Sequence, residues 1–219
     1  MQGEQTCGRH PVVDRCVLCC RPRPDTATPG WAAFSRGSVR CPTCVRGAIE
    51  SPADARRNIP LIREQMATLG IQLAKRVRVT LAAPDELNLG DTPASLLLGL
   101  TQHQSWEGDD EVEVLGIQIA SGLTPMHFGQ TVAHEIGHAW LSQRGATDLD
   151  PILAEGTCEL FANAWLKKQA NPLAAAIRQS MHTNPDPIYG NGFRLVRASV
   201  RTHGIASVLD HLCRRYSLP

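Results

Sequence analysis

Long apolar runs are missing from this chain: no stretch of about 18 such residues occurs, so nothing in it reads as a transmembrane helix. The opening sixteen residues, MQGEQTCGRHPVVDRC, contain no apolar core of the kind a secretion signal needs. Excess charge is missing too. Twenty-two basic and 21 acidic residues leave a net +1, which offers neither a nucleic-acid nor a membrane-surface footprint. The arginine-rich piece CCRPRP is short and reads as a solvated loop. No internal repeat is visible. Without an export signal, the expected compartment is the reducing cytoplasm, where clustered cysteines bind metal more readily than they form disulfides.

What is present is concentrated in three places. The first is TVAHEIGHAW, residues 131–140. Positions four apart on a helix lie nearly above one another, so His134 and His138 would point the same way and could share one ion. Glu135, rotated to the side, could reach a water there without being a ligand. H-E-x-x-H is the zincin signature of two imidazole ligands and a general base. The bland alternative is two histidines sharing a face for packing or solvation. Gly137 costs such a helix about 1 kcal/mol relative to alanine, so packing must hold it.

The second is LDPILAEGTCELFANAWL, residues 149–166. Asp150 and Pro151 read as N-cap and first helical residue, and the apolar positions that follow recur with helical period. Glu155 and Glu159 share one face. Half-buried carboxylates are costly unless paired or metal-bound. A second helix carrying Glu after a short loop is the gluzincin arrangement, which makes Glu155 the third ligand. Glu159, one turn on, would hold a histidine ring in place. Ordinary surface ion pairs are the competing reading.

The third is the cysteine distribution, with six of eight before residue 45. Cys16-x-x-Cys19 and Cys41-x-x-Cys44, with 21 residues between the pairs, match a closed, tetrahedral structural zinc site. A redox role is the alternative, but no β-α-β pattern surrounds the pairs. Cys7 and His10 form a further candidate ligand pair without an evident completion. Cys20 is a spare thiol, and Cys158 and Cys213 read as small core residues. The implied cofactor is zinc, one catalytic ion and one structural.

The remaining pattern places a loop over 22–38, a linking helix over 51–70 and strands near 76–81, 94–102 and 111–120, with the acidic turn EGDDE between the last two. Helices follow over 172–181, 192–203 and 205–215. Strand 111–120 is expected either to pair with an extended substrate along a sheet edge or to lie inside the sheet. Tyr189, one of only two tyrosines, lies in a Pro/Gly segment and is the candidate oxyanion donor; His182 and His203 are weaker ones. His127 is expected either to line the cleft or, preferably, to cap the metal helix. His103 and His211 have no role assigned.

Together these pieces resemble the DA-one-like zinc peptidases, a family of plant LIM-domain, ubiquitin-regulated proteases that limit organ growth. The likeness rests on CGRH, RCVLCC and RCPTC in the cysteine module, and on SGLTPMHFGQTVAHEIGHAWL and EGTCELFANAWL at the two helices. PIYGNGFRLV extends it toward the C-terminus. The resemblance implies a minimal, bacterial-type relative of α+β class. It would have a LIM-like or treble-clef zinc module over 1–50 and a zincin-like gluzincin domain over 51–219, with a small mixed or antiparallel sheet and a mostly helical C-terminal half. It implies a zinc metallopeptidase acting on protein or peptide substrates, with a regulatory protein reached through the zinc module as a candidate partner. Upstream LIM or ubiquitin-binding segments are missing from the likeness, which strands Cys7 and His10, and ubiquitin regulation is not carried over. An inactive zinc-dependent interaction module and a zinc hydrolase of a non-peptide bond are the alternatives.

Overall fold

A computed structural model describes residues 14–24, 29–88, 96–104 and 112–219. Cys7, His10 and the EGDDE turn lie outside these residues. The described chain is a mixed α+β structure with two small sheets and a helical C-terminal half.

Within 22–38, expected to be loop throughout, β1 (Ala32–Ala33) pairs antiparallel with β2 (Val39–Arg40). The reversal between them uses Arg36 and Gly37, both at positive φ, and Ser38 N donates to Ser35 O at 2.9 Å. Turn geometry, not apolar alternation, makes this hairpin, so a hydrophobic pattern had nothing to reveal. The short helix α1 (Pro42–Arg46) follows.

Helix α2 (Pro52–Thr68) starts with a reciprocal cap: Ser51 accepts from Asp54 N, and the Asp54 carboxylate accepts from Ser51 N. Its buried stripe is Ala55, Ile59, Ile62 and Met66. Strands β3 (Val79–Ala82), β4 (Gly99–Gln104) and β5 (Glu113–Ala120) then form a mixed sheet of order β3-β5-β4, with the single turn α3 (Pro84–Leu87) following β3. β5 runs parallel to β3 and antiparallel to β4. β5 is therefore the interior strand, and the edge-strand expectation for 111–120 is corrected. Ile117, Ile119 and Ala120 at its C-terminal end are almost wholly buried, while Leu115 near its start is half exposed. β4 is the edge strand on the side of the site.

Helices α4 (Pro125–Ser142) and α5 (Pro151–Lys167) pack as a pair. A side chain at Gly137 would meet Cys158 Cα at 3.0 Å, so glycine lets the two backbones close up there and offsets its poor helix propensity. Helix α6 (Pro172–Thr183) runs slightly past its expected end. Helix α7 (Tyr189–His203) begins earlier than expected, because the Asp186 carboxylate accepts from Ile188 N and Tyr189 N, both at 2.8 Å. α7 packs closely on α5, with Gly156 against Gly192. Helix α8 (Ile205–Arg215) closes the chain.

The N-terminal segment is tied to the rest. Arg40 Nη1 donates to Gly122 O and to Glu50 Oε1, each at 2.7 Å. Ser35 Oγ donates to Asp85 Oδ1 at 2.7 Å, and Ile49 N to Leu123 O at 2.8 Å. The buried apolar residues of both parts form one continuous cluster.

A candidate metal centre between two helices

Helix α4 carries the HExxH residues, and its first turn fixes their direction. Thr124 is the N-cap: its Oγ1 accepts from His127 N and lies 2.7 Å from His127 Nδ1. The cap is thus Thr124, not His127 as expected, because a β-region residue ahead of Pro125 is placed to accept from the first free N–H groups. His127 is buried instead. Burial pushes its pKa down to about 4, against a bond to the Leu18 backbone that works upward.

One turn apart on α4, His134 Nε2 and His138 Nε2 approach to 3.1 Å. Glu155 Oε2 on α5 lies 3.1 Å from the first and 3.4 Å from the second. Three electron-pair donors converging this closely are favourable only with a proton or a cation among them. On the far side of the His134 ring, Nδ1 lies 3.1 Å from Glu159 Oε1. That carboxylate accepts the Nδ1 proton and leaves the Nε2 lone pair facing the centre. Burial works to lower the His134 pKa, but the bonds to Glu155 and Glu159 outweigh it and the ring stands well above its ordinary range. Burial likewise opposes ionisation of Glu155, yet the two imidazoles pull its pKa down to about 2. Cys158 is a rival third donor, since its Sγ lies within 4.8 Å of ring nitrogens of both histidines. The Glu155 oxygen lies 3.1 and 3.4 Å from those of the two rings. The Cys158 thiol is held protonated, chiefly by complete burial and then by the charge of Glu155. Glu155 is therefore the better candidate for a third ligand, and a His–His–Glu donor set could hold zinc with room for an open position.

Glu135 is almost fully buried. Its Oε2 accepts a 2.7 Å hydrogen bond from Thr101 Oγ1 on the edge strand. Gly99, two residues earlier on β4, makes room for it: a side chain there would meet Glu135 Oε1 at 2.7 Å. A cleft of about 580 Å³ opens over these groups, lined by Gly99, Thr131, His134, Glu135, Glu159 and Tyr189 among others. Tyr189 is the first residue of α7 rather than part of a loop. Its ring centroid is 6.1 Å from that of His134. Burial, then the charges of Glu155, Glu135 and Glu159, push its pKa up, so the phenol keeps its proton and stays a donor. His182 packs against Phe193 with centroids 5.1 Å apart, and His203 is exposed near the end of α7; neither lines the cleft. His103 Nδ1 lies 3.3 Å from Ser142 Oγ, and His211 Nδ1 3.1 Å from Ser207 O.

The four thiols of Cys16, Cys19, Cys41 and Cys44 lie within 4.8 Å of one another, all buried. Cys19 and Cys41 Sγ are 3.6 Å apart, and Cys41 N donates to Cys16 Sγ at 3.3 Å. The Cys44 thiol, donating to Cys16, pulls the Cys16 pKa down to about 4, and the same bond pushes Cys44 up. Such a cluster gains from a cation that takes all four as thiolates. Cys20 is exposed and stands outside it. Cys213 is half-buried on α8. Thr101 and Gly99 adjoin Glu135, and Arg40 adjoins Cys41, without any sequence pattern to announce them. Only the register of β4 beside α4 makes Thr101 a partner of Glu135.

A family model described as DA1-like, Protein DA1, matches residues 56–180, more than half of the chain. Protein DA1 of Arabidopsis thaliana is 22% identical over 262 aligned positions, covering 93% of this chain and 49% of that protein. Protein DA1-related 1 of the same plant is 28% identical over 131, covering 46% and 24%. The LIM domain-containing protein HDR3 of Oryza sativa subsp. japonica is 25% identical over 136, covering 46% and 27%. The chain spans about half the length, or less, of these relatives. No solved structure matches significantly.

Proposed function

Since the chain belongs to the DA1-like family, we propose that it is a zinc-dependent metallopeptidase of the gluzincin type, hydrolysing peptide bonds in protein substrates. The observation that carries this reading is the convergence of His134 Nε2, His138 Nε2 and Glu155 Oε2 within 3.4 Å of one another, beside a buried Glu135. His134, His138 and Glu155 would hold the ion, with Glu159 fixing the His134 ring. Zinc in such a site supplies Lewis acidity to a water molecule and to a substrate carbonyl.

The protein's own residues do the rest. Glu135, directed by the Thr101 hydroxyl, takes a proton from the attacking water and delivers it to the leaving amine. Tyr189 donates its phenolic proton in a hydrogen bond to the developing oxyanion. The edge strand β4 borders the cleft at Gly99 and offers main-chain groups to an extended peptide, which gives affinity with little demand on side chains. The four cysteines would hold a second, structural zinc in a LIM-like module over residues 1–50. A zincin-like domain over 51–219, with its linking helix at 51–70, would carry the chemistry. An inert interaction module would have no use for a buried Glu135 bonded to Thr101.

The test is Glu135→Gln. The variant should keep about two zinc ions per chain by elemental analysis and lose the ability to generate new chain ends in a proteome digest. Unchanged proteolysis by Glu135→Gln would refute the proposal.

A further inference from the structure

A second cleft, of about 390 Å³, lies between α2 and the start of β3. Four arginines line it: Arg56 and Arg63 from α2, Arg76 and Arg78 from the approach to β3. Its floor is apolar, with Ile59 and Val77 buried. No acidic side chain lines it, and none of the four arginines forms an ion pair with a described carboxylate. Glu64 lines the adjoining cleft instead. Arg63 is the anchored member. Its Nη2 donates to Val77 O, and its Nε is buried without a partner. Burial, and then the charge of Arg76, make its guanidinium harder to keep charged. Four like charges around one cleft, one of them partly desolvated, are a cost the fold bears without an internal counter-ion.

The geometry points to a docking site for an extended acidic peptide segment, separate from the catalytic cleft. Arginine forks match carboxylates in bidentate fashion, and four of them around one cleft favour several carboxylates over one small anion. Arg56 and Arg63 are two helical turns apart, roughly 10 Å along α2, and so share one face of it. Arg76 and Arg78 alternate along the segment that leads into β3, and alternate residues of a strand are about 6.6 Å apart. Alternate acidic residues of an extended peptide repeat at that same interval. Among the described residues β3 pairs only with β5, and Val79 at its start lines the cleft.

The test uses the full zinc-loaded chain carrying Glu135→Gln and a fluorescein-labelled peptide of alternating Glu and Ser, followed by anisotropy. Binding is expected to weaken steeply with added salt and to fall at least tenfold in the exposed charge reversal Arg76→Glu/Arg78→Glu. Arg215→Glu, on α8, should leave it unchanged. A peptide of alternating Lys and Ser should not bind, and millimolar inorganic phosphate should displace the acidic peptide only weakly. Three outcomes would overturn the proposal: no binding of the acidic peptide, equal binding by the double reversal, or tighter binding of a single-stranded oligonucleotide of equal charge. The readout is binding alone, so it stands or falls apart from the peptidase reading.

Discussion

The thiols of Cys16, Cys19, Cys41 and Cys44 are enclosed on every side, whereas His134, His138 and Glu155 line an open cleft. The first group draws its thiols from a turn and from the start of the five-residue helix α1, elements with few large apolar side chains. The second sits on two long helices already packed by apolar faces. On the proposed reading, a cation in the first place would serve folding and one in the second would serve chemistry. The two are joined, because Arg40, beside Cys41, holds Gly122 O just ahead of α4, and the Leu18 backbone meets His127 in the first turn of α4.

The largest expected effect would break that contrast if it failed. Structural zinc in small modules is worth about 10–16 kcal/mol of folding free energy, so Cys41→Ser should lose one of two zinc ions and melt far below the wild type. His138→Ala should also lose one ion but melt within a few degrees of it. Equal melting losses in the two variants, measured by scanning calorimetry with parallel metal analysis, would erase the distinction.

Next in size is a pH effect at the joint. The folded pKa of His127, about 4, lies below the ordinary value of about 6.5. Between these values the unfolded chain binds a proton that the folded one does not. Stability is thus full above pH 6.5 and declines as pH falls toward 4, by roughly 3 kcal/mol in all. Urea titrations of wild type and His127→Gln should show the decline weakened by that amount in the variant.

Arg40→Gln should cost about 2 kcal/mol by leaving Gly122 O unsatisfied, and should loosen zinc at the catalytic centre more than at the thiols. Competition with a chromophoric chelator would read that order. The smallest effect expected is at Thr101→Val, where losing one hydrogen bond to a charged group, about 1.5 kcal/mol, should lower turnover roughly tenfold. Metal content and melting temperature should stay as they were. A fall in zinc content instead would move Thr101 from directing Glu135 to supporting the fold.

The site was legible in the sequence where one element carries a repeating spacing. His134, His138, Glu155 and Glu159 are each four apart on a helix, and the paired cysteines are local as well. The helix starts at Ser51 and Asp150 were legible for the same reason, since capping chemistry is written in adjacent residues. Thr101 was not, because its meeting with Glu135 depends on strand register across 34 positions. The place of β5 was also hidden. A short apolar strand reads alike at a sheet's edge and in its middle, and only the partners of Ile117 and Ile119 decide. The glycines around Tyr189 read as a loop, whereas the Asp186 cap and the close packing of Gly192 on α5 draw it into a helix.

The most direct test of the account is a crystal of the zinc-loaded protein, examined by anomalous scattering at the zinc edge. The account predicts a peak bonded at about 2.0–2.2 Å to His134 Nε2, His138 Nε2 and a Glu155 oxygen, with Glu159 against the His134 ring. A peak ligated by Cys158 with Glu155 turned away, or no peak between the two helices, would contradict it.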